Sequence, residues 1–449
     1  MELFSMEVWA LIMFAVLMVT LFFGYPVAFT LGAISLLFGM IFLDLSFFNL
    51  LPMRIWGVMT NFTLLAVPLF VFMGVILEKS GLAEDLLETM GLLFGRLRGG
   101  LALSIVVVGG LLAATTGVVG ATVVTMGIIA LPSMLKNGYS PALATGTIAT
   151  SGTLGQIIPP SIVLILLGDM VGVPVGQLFL AAVLPGSLLI LLYLLYIAWK
   201  AWRDPHSAPA LAGESHQWDR HFVVRVLKSV LPVLLLMIAV LGSIFFGIAT
   251  PTESAAFGAI GALLLAFIKH VTHPIILLQN VRDAVQQTTR LTSMVFLILI
   301  GATAFGLVFR GMGGDQLVHD ILTQLPGGKW GFILVSLLLI FLLGFFLDFL
   351  EICFIVVPIL TPIADHFQIN LLWFAILIAV NLQTSFLTPP FGFSLFYLKA
   401  VAPPTMRIAV IYRGIVPFVM LQILGLALLV IFPQITLWLP NLIDQWLNL

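Results

Sequence analysis

The chain has 449 residues, of which 61% are hydrophobic and only 8% are charged, and its formal net charge is −1. Water could not solvate such a chain as a globule, so the composition excludes a soluble protein and indicates an integral membrane protein. The near-neutral charge gives no basic surface for nucleic acid, and the single cysteine, Cys353, excludes an intramolecular disulfide and a thiolate zinc cluster within this chain.

Apolar runs long enough to cross a membrane recur along the chain, since about 20 helical residues span the roughly 30 Å hydrocarbon core. The N-terminal run carries Glu2 and Glu7 but no Lys or Arg, so it lacks the basic region of a cleaved signal peptide. We therefore expect residues 1–23 to remain as the first transmembrane span. The predicted spans lie near residues 8–23, 27–48, 62–78, 140–170, 174–200, 223–248, 252–270, 292–310, 370–402 and 406–432.

The two halves of the chain share the spacing of their prolines. Pro132 precedes Pro159 by 27 residues, and Pro362 precedes Pro389 by the same 27 residues. Matching interruptions in two halves are typical of transporters built from inverted-topology repeats. The spacing therefore predicts a first repeat over 24–200, a cytoplasmic linker over 201–225, a second repeat over 226–432 and a C-terminal segment over 433–449.

Both predicted repeats open with a helix that begins at a proline, Pro26 in the first and Pro251 in the second. Proline suits this position because the first N–H groups of a helix have no partner within it. Thr250 and Glu253 also have the spacing of a capping box. We therefore interpret Glu253 as a helix cap rather than as a coupling carboxylate.

Each predicted repeat contains an apolar stretch that is too long for one span and is interrupted at its middle. Residues 101–135 break at the sequence AATTG, and residues 329–365 break near 344–351. We predict two re-entrant helical hairpins, because Gly and Thr tolerate a tight turn and the returning helix would aim unpaired N–H groups at the membrane midplane. The alternative is ordinary spans that are kinked by Gly and Thr.

Each predicted repeat also contains a span with a polar segment that ends in Pro-Pro, SGTLGQIIPP at 151–160 and NLQTSFLTPP at 381–390. These segments predict broken helices over 140–170 and 370–402, because the residue before a proline disfavours helix. Unwound backbone inside a membrane persists only where protein, water or a ligand satisfies it, and in transporters its carbonyls coordinate ions. The alternative is that the Ser and Thr hydroxyls only bond back to the preceding helical turn.

The distribution of Lys and Arg predicts the orientation. With the N-terminus outside, fifteen of the eighteen Lys and Arg residues lie inside, as the positive-inside rule requires. Only Arg54, Arg310 and Lys329 lie outside, and we predict that they are too few and too scattered to form a carboxylate clamp.

Two carboxylates, Asp348 and Glu351, lie at the predicted tip of the second hairpin. A charge at the bilayer centre costs on the order of 2.5–3.5 kcal/mol on insertion scales, so a role in gating, proton coupling or cation binding is one hypothesis. The alternative is that one of them caps the returning helix and faces water. The chain has no GxxxxGK[ST] motif, so we expect its energy to come from an ion gradient or from another subunit.

Three segments resemble the large permease subunit of tripartite ATP-independent periplasmic (TRAP) transporters. They are GATVVTMGIIALPSMLKNGYSPALATGTIATSGTLGQIIPPSIVLILLGD, GIATPTESAAFGA and TPPFGFSLFYLK. The resemblance implies a bacterial inner-membrane transporter, not an enzyme, with the N-terminus in the periplasm and an elevator-type, all-α architecture of inverted repeats. It implies sodium-coupled import of a small organic anion. The first segment looks closer to the subgroup for 2-oxo acids, lactate, mannitol or haloaromatic acids than to the sialic acid importers.

The resemblance also implies two protein partners, a periplasmic substrate-binding protein and a small four-helix membrane subunit. We expect the small subunit to be a separate chain, because no additional four-helix block precedes residue 24. The alternative function is that of a stand-alone sodium- or proton-coupled anion transporter of related inverted-repeat fold, which would work without a binding protein.

The family's binding positions can be carried over to this sequence. Many relatives have a Ser-rich first hairpin tip, whereas this chain has AATTG. The substrate is expected to lie between two Na⁺ sites. Sodium site 1 would comprise Thr115, Thr116, Gly117, Ser151, Gly152, Thr153, Gly155 and Gln156; sodium site 2 would comprise Asp348, Asn381, Gln383, Thr384, Ser385 and Thr388; and the substrate site would comprise Thr116, Thr153, Pro159, Pro160, Ser161, Thr388, Pro389 and Pro390.

Overall fold

The computed structural model describes residues 5–116, 119–210 and 220–447, and within these ranges the side chains of 113–116, 220–223 and 447 are not described. The described residues form helices and connecting turns without any strand, so the predicted all-α class is confirmed. Seven helices are long and apolar enough to cross a membrane, or eight if the pair Leu45–Met59 and Thr63–Lys79, bent by 54°, forms one span. The prediction of an integral membrane protein is confirmed as well.

The described helices fall into two similar sets, followed by one further helix, although the sets do not correspond helix by helix. The first set is α1 Met6–Phe22, α2 Val27–Phe42, α3 Leu51–Met59, α4 Ala66–Lys79, α5 Leu82–Phe94, α6 Gly100–Thr116, α7 Val119–Lys136, α8 Pro141–Thr153, α9 Ile162–Val171 and α10 Val175–Arg203. The second set is α11 Arg220–Phe245, α12 Pro251–Lys269, α13 Pro274–Gly311, α14 Gly314–Thr323, α15 Lys329–Leu343, α16 Phe349–Glu351, α17 Val357–His366, α18 Leu371–Leu387, α19 Phe393–Val401 and α20 Ile408–Ile431, before α21 Gln434–Leu447.

The two sets exchange equivalent packing contacts. Helix α2 packs on α13, and α4 packs on α12. Helix α1 packs on α2 and α14, just as α11 packs on α12 and α5. The first span is therefore the counterpart of α11 and belongs with the first half, although the sequence analysis had placed it outside the repeat.

Counterpart helices run in opposite directions. Helix α2 is parallel to α13, because Gly301 lies against the Ala28 carbonyl and Gly39 lies against Val308. Helix α12 is parallel to α4, because the Thr252 hydroxyl donates to the Phe62 carbonyl at one end and Lys269 pairs with Asp85 at the other. Helix α4 is antiparallel to α13, because Asn61, just before the start of α4, lines the same cavity as Arg310 at the end of α13. Helices α2 and α12 therefore point opposite ways, which is the arrangement of an inverted-topology repeat.

Two groups of helices can be defined by their order within each half. The scaffold group comprises α1–α5 and α11–α14, and the hairpin group comprises α6–α10 and α15–α20. Within the hairpin group α8 crosses α20 closely, because Gly146 and Gly414 face one another. A Cβ atom at Gly414 would lie 2.0 Å from the Ala142 carbonyl oxygen, so a side chain cannot be accommodated there without moving the backbone.

Several helices differ from the predicted spans. The span predicted at 27–48 ends at Phe42, the span predicted at 292–310 begins at Pro274, and α3, α5, α14 and α21 were not predicted. Helix α5 buries Leu82, Leu86 and Leu87 while Asp85 is exposed. Such short amphipathic helices escape a search for long apolar runs.

The described part of the segment predicted as a linker at 201–225 is bonded to its neighbours. Helix α10 continues to Arg203, and α11 begins at Arg220. Between them the Ser207 carbonyl accepts a hydrogen bond from the Ser140 N–H and the Ala208 carbonyl accepts one from the Gly99 N–H, each at 2.9 Å. These bonds attach the described part of the linker to the chain just before α6 and α8.

The capping box predicted at the start of α12 is confirmed. The Glu253 backbone N–H donates to the Thr250 hydroxyl at 3.3 Å, and the Thr250 N–H donates to the Glu253 carboxylate at 2.8 Å. Because this carboxylate is engaged by the first turn of its own helix, its interpretation as a cap holds.

Candidate ion and substrate site

The first hairpin consists of α6 and α7. Gly109 lies against Met126 near the middle of the two helices, and the Leu101 N–H donates to the Tyr139 hydroxyl at their other ends, so the helices are antiparallel. Of the positions assigned to the tip, Gly117 lies outside the described residues, as do the side chains of Thr115 and Thr116.

The second hairpin consists of α15 and the run from α16 to α17, which includes a π-helical turn at Ile352–Val356. Its helices are interrupted between Leu343 and Phe349. The Asp348 carboxylate accepts the Phe349 N–H at 2.7 Å and so caps the returning helix. Glu351 is buried, and its Oε2 atom has no hydrogen-bond partner among the described residues.

The first broken helix separates at the predicted place. Helix α8 ends at Thr153, a 3-10 turn covers Leu154–Gln156, and α9 begins at Ile162. The peptide bond between Pro159 and Pro160 is cis. The Ser161 hydroxyl caps α9 by accepting from the Leu164 N–H at 3.4 Å and donates to the Gln156 carbonyl at 2.9 Å.

The second broken helix repeats this design. Helix α18 ends at Leu387, α19 begins at Phe393, and the bond between Pro389 and Pro390 is also cis. The Ser394 hydroxyl donates to the Phe386 carbonyl at 2.8 Å. Phe386 occupies the position that Gln156 occupies in the first half, so in both halves a serine satisfies the same released carbonyl. These two carbonyls are therefore already partnered.

The two breaks touch one another at equivalent residues. The Gln383 Nε2 atom donates to the Thr153 hydroxyl oxygen at 3.3 Å, and the two residues are 230 positions apart, which is the spacing between the proline pairs. Residues related by a pseudo-twofold axis can meet only close to that axis. The structure thus brings part of the predicted sodium site 1 together with part of sodium site 2 at the centre of the molecule.

Most polar side chains of the two breaks donate their protons to backbone carbonyls. The oxygen lone pairs of the hydroxyls remain free to accept or to coordinate. The alternative, in which the hydroxyls bond back to the preceding helical turn, therefore accounts for where the hydroxyl protons are donated. It does not exclude a cation bound to the hydroxyl oxygens. The bonds run from Ser151 to Thr147, Thr153 to Thr150, Thr384 to Val380, Thr388 to Thr384, Ser385 to Phe341 and Asn381 to Leu337.

Three amide atoms near the breaks lack any hydrogen-bond partner among the described residues. They are both side-chain atoms of Gln156 and the Oε1 atom of Gln383, and both residues are fully buried. Buried polar groups in native proteins are nearly always satisfied, so each exception asks for a water, an ion or a ligand. The two helix breaks therefore contain buried polar atoms that could bind a water, an ion or a ligand.

The positions assigned to substrate differ between the halves. Pro159, Pro160 and Ser161 are buried, whereas Pro389 is half-buried and Pro390 is exposed. Gly152 is packed against Val123 of the first hairpin, where a Cβ atom would approach the Val123 side chain to 2.4 Å. Gly155 is likewise buried beside Gln156. Of the two Pro-Pro segments, the second is the more accessible to a solute.

Comparison with known proteins accounts for this architecture. The family model described as "Tripartite ATP-independent periplasmic transporter, DctM component" matches residues 14–435. The chain belongs to this family. As a TRAP large permease it is a component of a membrane transporter and not an enzyme, and the resemblance drawn from its motifs is confirmed.

Two relatives show how far the similarity extends. The C4-dicarboxylate TRAP transporter large permease protein DctM of Pseudomonas aeruginosa is 31% identical over 89% of this chain and 90% of its own length. The sialic acid TRAP transporter large permease protein SiaM of Vibrio cholerae is 29% identical over 94% of this chain and 96% of its own. Among solved structures, the Alcanivorax borkumensis YdaH transporter has a similar fold. The matched region covers 92% of this TRAP permease and 96% of the YdaH chain, with a TM-score of 0.64 and 15% sequence identity. That likeness concerns the fold alone.

A cavity of about 850 Å³ opens in this TRAP permease between the scaffold group and the second hairpin. Arg54 and Arg310 both line it, whereas Lys329 lies elsewhere, over the rings of Trp330 and Trp373. Two of the three outer cations, predicted to be too scattered for a carboxylate clamp, thus share one cavity. No sequence signal links them, because only the return of α13 brings Arg310 beside α3.

Proposed function

We propose that this TRAP permease couples Na⁺ to the import of a small organic carboxylate across the inner membrane. The observation that carries the proposal is the contact between Thr153 and Gln383, around which the Gln156 amide and the Gln383 Oε1 atom lack partners. Interrupted helices that meet at the membrane midplane are the usual position of ion and substrate sites in secondary transporters.

The two sodium sites are proposed on chemical grounds. Na⁺ is a hard cation that takes oxygen ligands, and the hydroxyls of Ser151, Thr153 and Thr384 present oxygens whose protons are directed away into the helix. The first break has no carboxylate, so a monovalent cation fits it better than a divalent one. At the second site Asp348 adds one formal charge at the tip of its hairpin.

The carboxylate group of a solute also fits at the two helix breaks. The starts of α9 and α19 present backbone N–H groups at the two breaks, and helix N-termini favour anions. Thr388, Pro389 and Pro390 give access from the second half. Relatives named for C4-dicarboxylates and for sialic acid carry carboxylate solutes, which supports the class. Within this class we propose a 2-oxo acid or a related monocarboxylate.

An elevator movement of the hairpin group against the scaffold group is proposed for transport. Among the described residues, few hydrogen bonds cross this boundary, and one of them runs from the Ser104 hydroxyl to the Met90 carbonyl at 2.7 Å. The Thr125 hydroxyl donates to the Glu78 carboxylate at 2.9 Å, and the Asn61 amide donates to the Asp169 carboxylate at 2.6 Å. So few polar links at the two ends of the boundary would permit sliding without loss of a large bonded network.

The orientation and partners complete the proposal. Residues of the proposed cytoplasmic end meet in pairs, Lys269 with Asp85 at 2.5 Å and Arg225 with Glu88 at 3.1 Å, and the opposite end holds Arg54. With the positive-inside rule, these positions support a periplasmic N-terminus. A periplasmic binding protein would deliver the solute there, and a small four-helix membrane subunit would accompany this chain as a separate polypeptide.

Reconstitution in proteoliposomes tests the proposal. The chain would be combined with a candidate binding protein and a candidate small membrane protein from the same organism, and uptake of labelled pyruvate, lactate and succinate would be measured under an imposed Na⁺ gradient. We expect uptake of at least one acid that disappears with K⁺ in place of Na⁺ and falls strongly in a Gln156→Leu variant. The matched control Thr289→Val removes an exposed hydroxyl that bonds only to its own helix.

The same assay distinguishes the proposed function from the alternative of a stand-alone transporter. Uptake that persists without the binding protein would identify a stand-alone transporter. Uptake that ignores the Na⁺ gradient, or that survives the Gln156→Leu substitution, would contradict the proposed coupling site.

A further inference from the structure

The cavity between the scaffold group and the second hairpin is lined on one side by cationic side chains and on the other by an apolar wall. Arg54 lies on α3 and Arg310 lies near the end of α13, and both side chains are exposed to the cavity. The facing wall is formed by Ile355, Pro358 and Ile359 of the second hairpin. A solute bound there would therefore touch both helix groups.

The two guanidinium groups keep unused hydrogen-bond donors. The Arg310 Nε atom donates to the Gly306 carbonyl of its own helix at 3.1 Å. Among the described residues, neither guanidinium lies within 4.0 Å of a carboxylate oxygen, since the ion pairs join other residues. The charges of Arg54 and Arg310 are near enough to act on one another. Two neighbouring cations that are not ion-paired form a place where a bound carboxylate relieves repulsion.

Acidic groups also line the cavity and bear on its affinity. Asp315 acts electrostatically on Arg310 without forming an ion pair, and Glu7 lies against Gly313. Asp320 is paired with His319 at 3.5 Å. These carboxylates weaken the attraction of the cavity for anions, which suits a site that must release its solute again.

We propose that Arg54 and Arg310 form a carboxylate-binding station on the scaffold group, which holds the solute before it reaches the broken helices. The fork of a guanidinium matches a carboxylate with two parallel hydrogen bonds. The cavity volume of about 850 Å³ lies within the range usual for small-molecule sites. The station rests on the proposed function for its solute class and its direction, but its existence can be measured without transport.

Protection of the arginines from phenylglyoxal tests the station. The full chain with its small membrane subunit would be labelled in lipid nanodiscs, and mass spectrometry would follow the labelling rates of Arg54 and Arg310. We expect succinate to slow both rates and succinamide, its neutral analogue, to leave them unchanged. Arg225, which is paired with Glu88 far from the cavity, serves as the internal control.

Variants sharpen the test. In R54Q the succinate concentration that half-protects Arg310 should rise by about tenfold or more, as expected for the loss of hydrogen bonds to a charged group. R54K keeps the charge but not the fork, so its shift should be smaller. K329Q removes an outer cation that lies outside the cavity and should cause no shift.

Several results would overturn the station. They are an absence of protection, equal protection by succinamide, or the same shift in K329Q as in R54Q. If R54Q leaves protection intact but abolishes uptake that depends on the binding protein, the arginines serve protein docking and the station is refuted. Intact protection in a transporter that ignores Na⁺ would refute only the proposed function.

Discussion

The contact between Thr153 and Gln383 leads to a prediction about both stability and ion affinity. Thr153→Val keeps the shape of the side chain but removes the oxygen that accepts the Gln383 Nε2 proton at 3.3 Å. Both residues are fully buried, so that donor would be left without a partner. We expect a loss of about 1–3 kcal/mol in the free energy of unfolding, because a stranded buried donor keeps its full desolvation cost.

A double-mutant cycle with Gln383→Leu isolates the pair. The double variant strands no donor at this contact, so it should be less destabilised than the sum of the two single variants. The coupling should be about 0.5–1.5 kcal/mol, which is the net value of one neutral hydrogen bond. A coupling of zero would mean that the two helix breaks do not meet, and the central site would lose its basis.

The same substitution should change sodium dependence if the Thr153 oxygen is a ligand. We expect the Na⁺ concentration for half-maximal uptake to rise about tenfold or more in Thr153→Val, because bonds to a charged group are worth about 1.5–3 kcal/mol. Thr153→Ser keeps the oxygen and should stay near the original value. Thr289→Val is the matched control. An unchanged sodium dependence in Thr153→Val would remove this residue from the ion site.

Two further predictions concern the helix groups. Gly414→Ala should destabilise the protein by about 1–3 kcal/mol in denaturant unfolding, because its Cβ atom would lie 2.0 Å from the Ala142 carbonyl oxygen; Gly32→Ala, with nothing within 4 Å, should cause no loss. Cysteines at positions 78 and 125, introduced with the native cysteine removed and joined by a short, reducible bifunctional thiol reagent, should stop uptake until the link is reduced, because Glu78 and Thr125 join the two groups. Full uptake by the cross-linked protein would contradict an elevator.

Local features of the fold could be predicted from the residues that cause them. Proline has no N–H and restricts the residue before it, so the Pro-Pro pairs located both helix breaks. Thr250 and Glu253 indicated their capping box because its bonds span only three residues. The interruption between Leu343 and Phe349 lies where the sequence GFFLD weakens an apolar run.

Other features of the fold could not be predicted from the sequence, because they depend on contacts with residues far away in the chain. The relation of α1 to α11 rests on equivalent packing against α14 and α5, which no motif records. Helix α5 is stabilised by burial of one face, so its short amphipathic pattern has meaning only beside α6 and α11. The sequence did not indicate that Arg54 and Arg310 line the same cavity, because the two residues are remote in sequence.

The sequence by itself determined the membrane class, the family, the positions of the helix breaks and the register that relates the halves, because hydropathy and proline geometry act over a few residues. Only the tertiary structure decided that Thr153 meets Gln383 and that Arg54 shares a cavity with Arg310. Those contacts depend on how closely whole helices approach one another, as they do at Gly414. Such packing is set by the surfaces of two helices together, so the sequence of either helix alone does not determine it.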